Sequence, residues 1–168
     1  MAKKRWLAAY VKMHHEKQVR DRLAQMEIEN FLPVQEEIRQ WSDRKKKVER
    51  VLIPMMIFVH VDIEEQRTVI THPSILRYLT LRGEHTPAEI PGEQMERFRF
   101  MLDHSDSAVS FSTADLQPGE MIRVIKGPLA GLDGELVTVE GKSRIAIRIY
   151  QLGCAIVEIG TSMVEKIS

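Results

Sequence analysis

The spacing of apolar residues changes period several times along the chain, and each change marks an element. From Arg5 to Val11, Trp6, Ala8 and Tyr10 fall on one side of an extended chain and Leu7, Ala9 and Val11 on the other. Both sides are apolar, which predicts a central strand covered on both faces. His15 to Glu27 switches to helical spacing, with Val19, Leu23 and Met26 on one stripe and Lys17, Arg20, Asp21 and Gln25 opposite. A second strand begins at Phe31-Leu-Pro-Val34 and runs towards Trp41. Ser42 to Lys47 is a polar turn, and Val48 to Val61 returns as a long strand. A short helix over Glu64–Thr71 is closed by Pro73. Ile75 to Leu81 reads as a strand, and Pro91-Gly92-Glu93 opens a last helix with Met95, Phe98, Met101 and Leu102 inward. This order describes an α+β fold, an antiparallel sheet with flanking helices.

Polarity changes at Asp103. Asp103 to Asp115 holds four serines and a threonine without helical or strand period, and reads as a linker. The expected division is a domain over 1–104, a linker over 105–116 and a second domain over 117–168. The second domain is all strand. Pro118-Gly119, Gly127-Pro128, Gly131 to Gly134 and Gly141-Lys142 punctuate it. Ile145, Ile147 and Ile149 alternate with Arg144, Ala146 and Arg148. About five short strands in so few residues predict a small SH3-like β-barrel, whose closure hides the edges.

Composition narrows the function. With 43% hydrophobic and 29% charged residues the chain is neither disordered nor membrane-spanning. Its longest apolar run, Ile53 to Val59, cannot cross a bilayer. The opening Met-Ala-Lys-Lys-Arg-Trp lacks the apolar stretch of a signal peptide, so the cytoplasm is the expected compartment. One cysteine, Cys154, lies in an apolar strand pattern and reads as a buried thiol. No P-loop, nucleophile elbow or dinucleotide fingerprint occurs, so an enzyme is not expected, nor is a cofactor. His14 and His15 are adjacent, and His60, His72, His85 and His104 lack ligand spacing, so no metal site is expected. Net charge is zero, and any nucleic-acid affinity must be local. One local patch exists. From Arg39 to Arg50, six basic residues oppose two acidic ones, and Arg44, Lys45, Lys46 and Lys47 are consecutive at the turn. Such a tip either solubilises an edge or contacts phosphates. Trp41 beside it either packs beneath the hairpin, the reading favoured by ordinary packing, or stacks on a base.

The stretch Leu116-Gln-Pro-Gly-Glu-Met-Ile-Arg-Val-Ile-Lys-Gly-Pro-Leu-Ala-Gly-Leu-Asp-Gly-Glu135 resembles the KOW motif of NusG-type proteins. Ser143-Arg-Ile-Ala-Ile, Leu152-Gly153 and Val164-Glu-Lys-Ile continue the likeness. Trp41-Ser-Asp-Arg-Lys-Lys-Lys, then Leu52-Ile-Pro-Met-Met-Ile-Phe-Val59 and His72-Pro-Ser-Ile-Leu-Arg-Tyr, resemble the NGN domain of the same family. The family usually has Gly-Tyr after the proline, where this chain has Met55-Met56. That departure points to a specialised paralogue comparable to RfaH or the UpxY-like antiterminators.

The resemblance implies a monomeric transcription elongation and antitermination regulator. Its NGN domain would hold the clamp helices of the largest RNA polymerase subunit through Tyr10, Ile53, Pro54, Met55, Met56, Phe58 and Tyr78. Alternation requires part of that strand to be core, and it does not decide which face meets the partner. Gln66, Arg67, Thr68 and Thr71 would touch the gate loop of the other large subunit. Lys12, His14, His15 and Lys17, with Arg44, Lys45, Lys46 and Lys47, would contact nucleic acid, non-template DNA in specialised members. The KOW domain would recruit a small ribosomal protein or Rho through Leu129, Tyr150, Leu152 and Ile156. Refolding of that domain into a helical hairpin is not expected, because the isoleucine alternation favours strands. The competing reading is a KOW-containing translation or ribosome-associated RNA-binding protein, which leaves the first domain unexplained.

Overall fold

The computed structural model describes residues 3–167; Met1, Ala2 and Ser168, the outer ends of the expected domains, lie outside the described residues. The elements are β1 (Arg5–Val11), α1 (Glu16–Gln25), β2 (Asn30–Phe31), β3 (Val34–Gln40), β4 (Lys45–Val51), β5 (Met56–Val61), α2 (Ile63–Val69) and β6 (Ile75–Tyr78). They continue with α3 (Gly92–His104), β7 (Ser110–Ser112), β8 (Glu120–Val124), β9 (Asp133–Val139), β10 (Lys142–Ile149), β11 (Gly153–Glu158) and β12 (Val164–Lys166). Two compact units result. The first runs up to Val34 and resumes over Ile53–Gly92; the second comprises Gln35–Leu52 and the chain from Glu93 onward. The β3–β4 hairpin and α3 therefore group with the β-rich segment, whereas the sequence placed both with the first domain.

In the first unit the strand order is β2-β5-β1-β6. The β1–β5 register pairs Ala8 with Phe58 and Ala9 with Ile57, so both faces of two adjacent inner strands are apolar. Leu7, Ala8, Ala9, Ile57, Phe58 and Val59 are all fully buried. Val19 and Leu23 of α1 are buried as the helical stripe predicts, but Met26 caps the helix end and is exposed.

The expected strand over 31–41 is instead two strands, because Pro33 between them has no N–H for a ladder. The expected long strand over 48–61 is likewise broken, by a turn over 52–55 in which Met55 has φ of 67°. Its backbone is held on both sides. The Met55 N–H donates to Glu16 Oε2 at 2.9 Å, and the Val11 N–H donates to the Met55 carbonyl at 2.9 Å. Among the described residues, Glu16 is the one buried charged side chain.

In the second unit the antiparallel order is β12-β8-β9-β10-β11-β7. Ile145 pairs with Val157 and Ile147 with Ala155 on one face of β10–β11. On the other, Ala146, Cys154, Ile156 and Val137 cluster with Leu116 and Val139. The sheet centre is thus buried on both faces, more than simple alternation implied. The serine-rich stretch expected as linker contains β7, paired with β11. Val109, fully buried, and the part-buried Phe111 alternate within it, a signal masked by the surrounding serines. Gly153 has φ of 147°, and a Cβ there would lie 2.1 Å from the Ser112 carbonyl oxygen, so only glycine lets β7 approach. Met95, Phe98, Met101 and Leu102 of α3 are buried as expected. Phe98 meets Phe111 at 6.1 Å between ring centroids, and Gln94 Oε1 accepts from the Tyr150 N–H at 2.7 Å. The hairpin is anchored at its base, where Gln35 Oε1 accepts from the Val109 N–H at 2.8 Å and Arg50 donates to the Val109 carbonyl at 2.6 Å.

Glu135 accepts from Arg148 Nε at 2.9 Å and Nη2 at 3.0 Å, and from the Gly119 N–H at 3.0 Å. Burial pushes its carboxyl up, but the bonds from Arg148 and Gly119 outweigh it and hold the group below the ordinary glutamate range.

Replacing Glu16 with Ala leaves the Met55 N–H without its acceptor and should lower stability by about 1–3 kcal/mol in urea denaturation; Glu16→Gln, which keeps an acceptor, should cost less. A carboxyl whose folded value is depressed contributes stability that is complete above its unfolded pKa, about 4.3, and lost as pH falls through the lower folded value. Acid unfolding of the wild type should therefore steepen below roughly pH 4. Glu135→Gln should flatten that part of the stability profile.

Candidate functional site

The first unit carries a groove of about 410 Å³ between α2 and β6. Its helix is fixed by a capping box. The Asp62 side chain accepts from the Glu65 N–H at 2.8 Å, and Glu65 accepts in return from the Asp62 N–H at 3.2 Å. The Tyr78 hydroxyl donates to the Gln66 carbonyl at 2.7 Å and ties the strand to the helix. Burial drives that hydroxyl far above the ordinary tyrosine range, against an opposing effect from Arg5, so it stays a donor. Gln66, Arg67, Ile70, Leu76, Arg77 and Tyr78 line the groove. Ile70 and Leu76 are 39% and 51% exposed, and the Arg77 guanidinium lies 4.7 Å from the Tyr10 ring centroid. The groove is thus an open apolar trough with two arginines at its rim.

The residues expected to contact polymerase do not form one exposed surface. Met56, at 4% exposure, and Phe58, at none, are core, because β5 is an inner strand covered on both faces. Neither face of β5 is free in the way expected. Pro54 is exposed, and Ile53 and Met55 are half-buried, all in the turn before β5. Tyr10, half-buried, reaches the groove through Arg77, and Tyr78 lines it. Of the gate-loop candidates, Gln66 and Arg67 line the groove. The hydroxyls of Thr68 and Thr71 bond back to the carbonyls of Glu64 and Thr68. Sequence reasoning missed Ile70, Leu76 and Arg77. In β6 the two middle residues are both exposed and the two ends both buried, so strand alternation could not find them.

Lys12 and His14 are exposed in the β1–α1 turn, where His14 has φ of 67°. His15 is held by Ser74, Nδ1 to Oγ at 2.8 Å, and Lys17 is half-buried. Arg44, Lys45, Lys46 and Lys47 are all exposed at the hairpin tip. Trp41 does not pack beneath it. The ring is 42% exposed, with Lys46 Nζ 4.5 Å and Arg44 Cζ 5.7 Å from its centroid.

Among the expected KOW contacts, Leu129 and Ile156 are 5% exposed and belong to the core. Tyr150 is exposed and Leu152 half-buried, and both line a cavity of about 280 Å³ with Asp115 and Arg148. Burial pushes the Cys154 thiol above its ordinary range, so it stays protonated and unreactive. Among the described residues, no group of three or more His, Cys, Asp or Glu side chains could hold a metal ion, and no helix is long and apolar enough to cross a membrane.

The family model described as transcription termination factor nusG matches residues 4–99, more than half of the chain. The chain belongs to the NusG family. Two curated relatives named transcription termination/antitermination protein NusG span nearly the whole sequence. That of Pseudomonas aeruginosa is 29% identical over 178 residues, with 98% of this chain and 99% of the relative covered. That of Pasteurella multocida is 26% identical over 164 residues, covering 95% and 85%. A solved structure on domain interaction in Thermotoga maritima NusG is 20% identical, covers 99% of this chain and 98% of its own, and has a TM-score of 0.49.

NusG proteins are non-enzymatic factors of transcription termination and antitermination. The turn before β5 has its own support. Met55 adopts the left-handed backbone that glycine takes without strain. Hydrogen bonds to Glu16 and from Val11 hold that conformation.

Met56→Asp should bury a carboxylate without a partner and destabilise the first unit by at least about 3 kcal/mol, seen as loss of circular-dichroism signal at lower temperature. Leu76→Asp, on an exposed position of the groove, should leave the melting temperature nearly unchanged.

Proposed function

We propose that this NusG-family chain binds RNA polymerase through a domain over 1–104 and recruits a second partner through the KOW domain over 117–168. The occupant of the α2–β6 groove in this reading is the pair of clamp helices of the largest polymerase subunit. The observation that carries it is the exposed apolar pair Ile70 and Leu76 beside Arg67 and Arg77. An exposed apolar trough costs solubility unless a partner covers it, and the arginines favour acidic helix faces. Gln66 and Arg67 would reach the gate loop from the same groove. Tyr150 and Leu152, beside their own cavity, would meet a small ribosomal protein or Rho. The protein acts as a cytoplasmic monomer without a catalytic step. Met55-Met56 in place of Gly-Tyr supports a specialised antiterminator comparable to RfaH or the UpxY-like proteins. The exposed Arg44 to Lys47 run would lie on DNA near the transcription bubble, with Lys12 and His14 as a second contact.

Core polymerase should retain the full chain in affinity capture, and Leu76→Asp should weaken that binding by about 1–3 kcal/mol while the protein stays folded. Unchanged capture by the variant would remove the groove from the interface. Lys45, Lys46 and Lys47 changed together to Ala should lower the salt slope of binding to a complete elongation complex by roughly 2–3, one per lost phosphate contact. Binding to polymerase without DNA should barely change.

A further inference from the structure

We infer that the tip of the β3–β4 hairpin is a stacking platform for one base of single-stranded nucleic acid, with Trp41 as the platform. The inference rests on the reading of the tip as a nucleic-acid contact and adds to it a specificity for unpaired bases. Three observations converge on Trp41. Trp41 is 42% exposed, and it is the larger of the two exposed large apolar side chains in the hairpin, with Ile38. Two cations attend it, the Lys46 ammonium at 4.5 Å and the Arg44 guanidinium at 5.7 Å from the ring centroid. The loop that presents it is short and braced, since the Trp41 N–H donates to the Arg44 carbonyl at 2.7 Å across the turn.

A lysine lying over an indole orients the ring and is paid in cation–π attraction. That pair alone would serve the hairpin. It does not account for Lys45 and Lys47, which are exposed and have no carboxylate bonded to them among the described ion pairs. Glu37, lower on the hairpin, pairs with Arg39 at 2.8 Å and Arg50 at 3.3 Å. At the tip the single carboxylate of Asp43 stands beside four consecutive cations, Arg44 to Lys47, so the tip is net positive around an open aromatic ring. Bases offer a π-face for that ring, and the phosphates on either side of a stacked base supply the anions its cations lack. A duplex offers only phosphates, because its bases are already stacked on each other.

The test uses the full chain and three labelled probes of the same mixed sequence, about 12 nucleotides long: single-stranded DNA, the matching RNA and the DNA duplex. At low salt the single strands should bind more tightly than the duplex and quench tryptophan emission. Trp41→Ala should weaken single-strand binding roughly 5- to 100-fold and leave duplex binding unchanged, while Trp41→Phe should retain most of the affinity. Preference between the DNA and RNA strands tells which source the site serves, and either supports the platform. Equal loss on single strand and duplex, or no loss with Trp41→Ala, would overturn the inference; salt-dependent binding that survives in that variant would leave the phosphate reading of the tip standing. Absence of binding to all three probes would overturn both. A Trp41→Phe variant that loses affinity as completely as Trp41→Ala, with unchanged circular dichroism, would also count against stacking.

Discussion

Pairing of β1 with β5 is the constraint on which the first unit depends. Six residue pairs lie in register from Arg5 with Val61 to Tyr10 with Met56. Because both strands are inner and apolar on both faces, this one ladder decides which residues can never meet a partner. It seals Phe58 and Met56 and leaves contact chemistry to the edges, to the turn before β5 and to the α2–β6 groove. The same pairing requires the chain to turn sharply at Met55. The buried Glu16 carboxylate meets that requirement by accepting the N–H the turn leaves over. A charged side chain in the core is thus explained by backbone it satisfies, not by chemistry it performs.

In the second unit the comparable element is β10 against β11. Isoleucines fill one face and a smaller cluster around Cys154 the other. The polar framework lies around this apolar centre, with Arg148 bonded both to Glu135 and to the Leu116 carbonyl. One arginine therefore links Leu116, ahead of β8, to two central strands of this unit, β9 and β10. The hairpin base is held by Gln35 and Arg50 through Val109, so a rigid root carries an exposed, cationic tip. A rigid root under a polar tip suits recognition, because less freedom is lost when the tip meets a ligand.

Most of the elements were legible in the sequence. The β1 strand was readable to the residue, since two apolar faces in alternation have few other solutions. The buried face of α3 was readable from helical spacing, and the strands of the β-rich C-terminal segment from their glycines and isoleucines. The breaks were less legible. The interruption at Pro33 could have been read from the missing N–H, but the turn at Met55 could not, because methionine gives no signal for a left-handed backbone. The strand inside the serine-rich stretch was hidden for a related reason. Val109 and Phe111 are too few to outweigh their neighbours until Gly153 gives them an edge to join.

The candidate site divides along the same line. By itself the sequence determined the family, the basic run from Arg44 to Lys47 and the presence of an apolar strand after Pro54, since these depend on residues adjacent in the chain. Only the tertiary structure decided that Met56, Phe58, Leu129 and Ile156 are core while Ile70 and Leu76 are exposed. It alone brought Arg77 over Tyr10 and Lys46 over Trp41. Alternation tells that a strand has two faces, but whether either stays open depends on what distant segments cover it, and that is a property of the assembled fold.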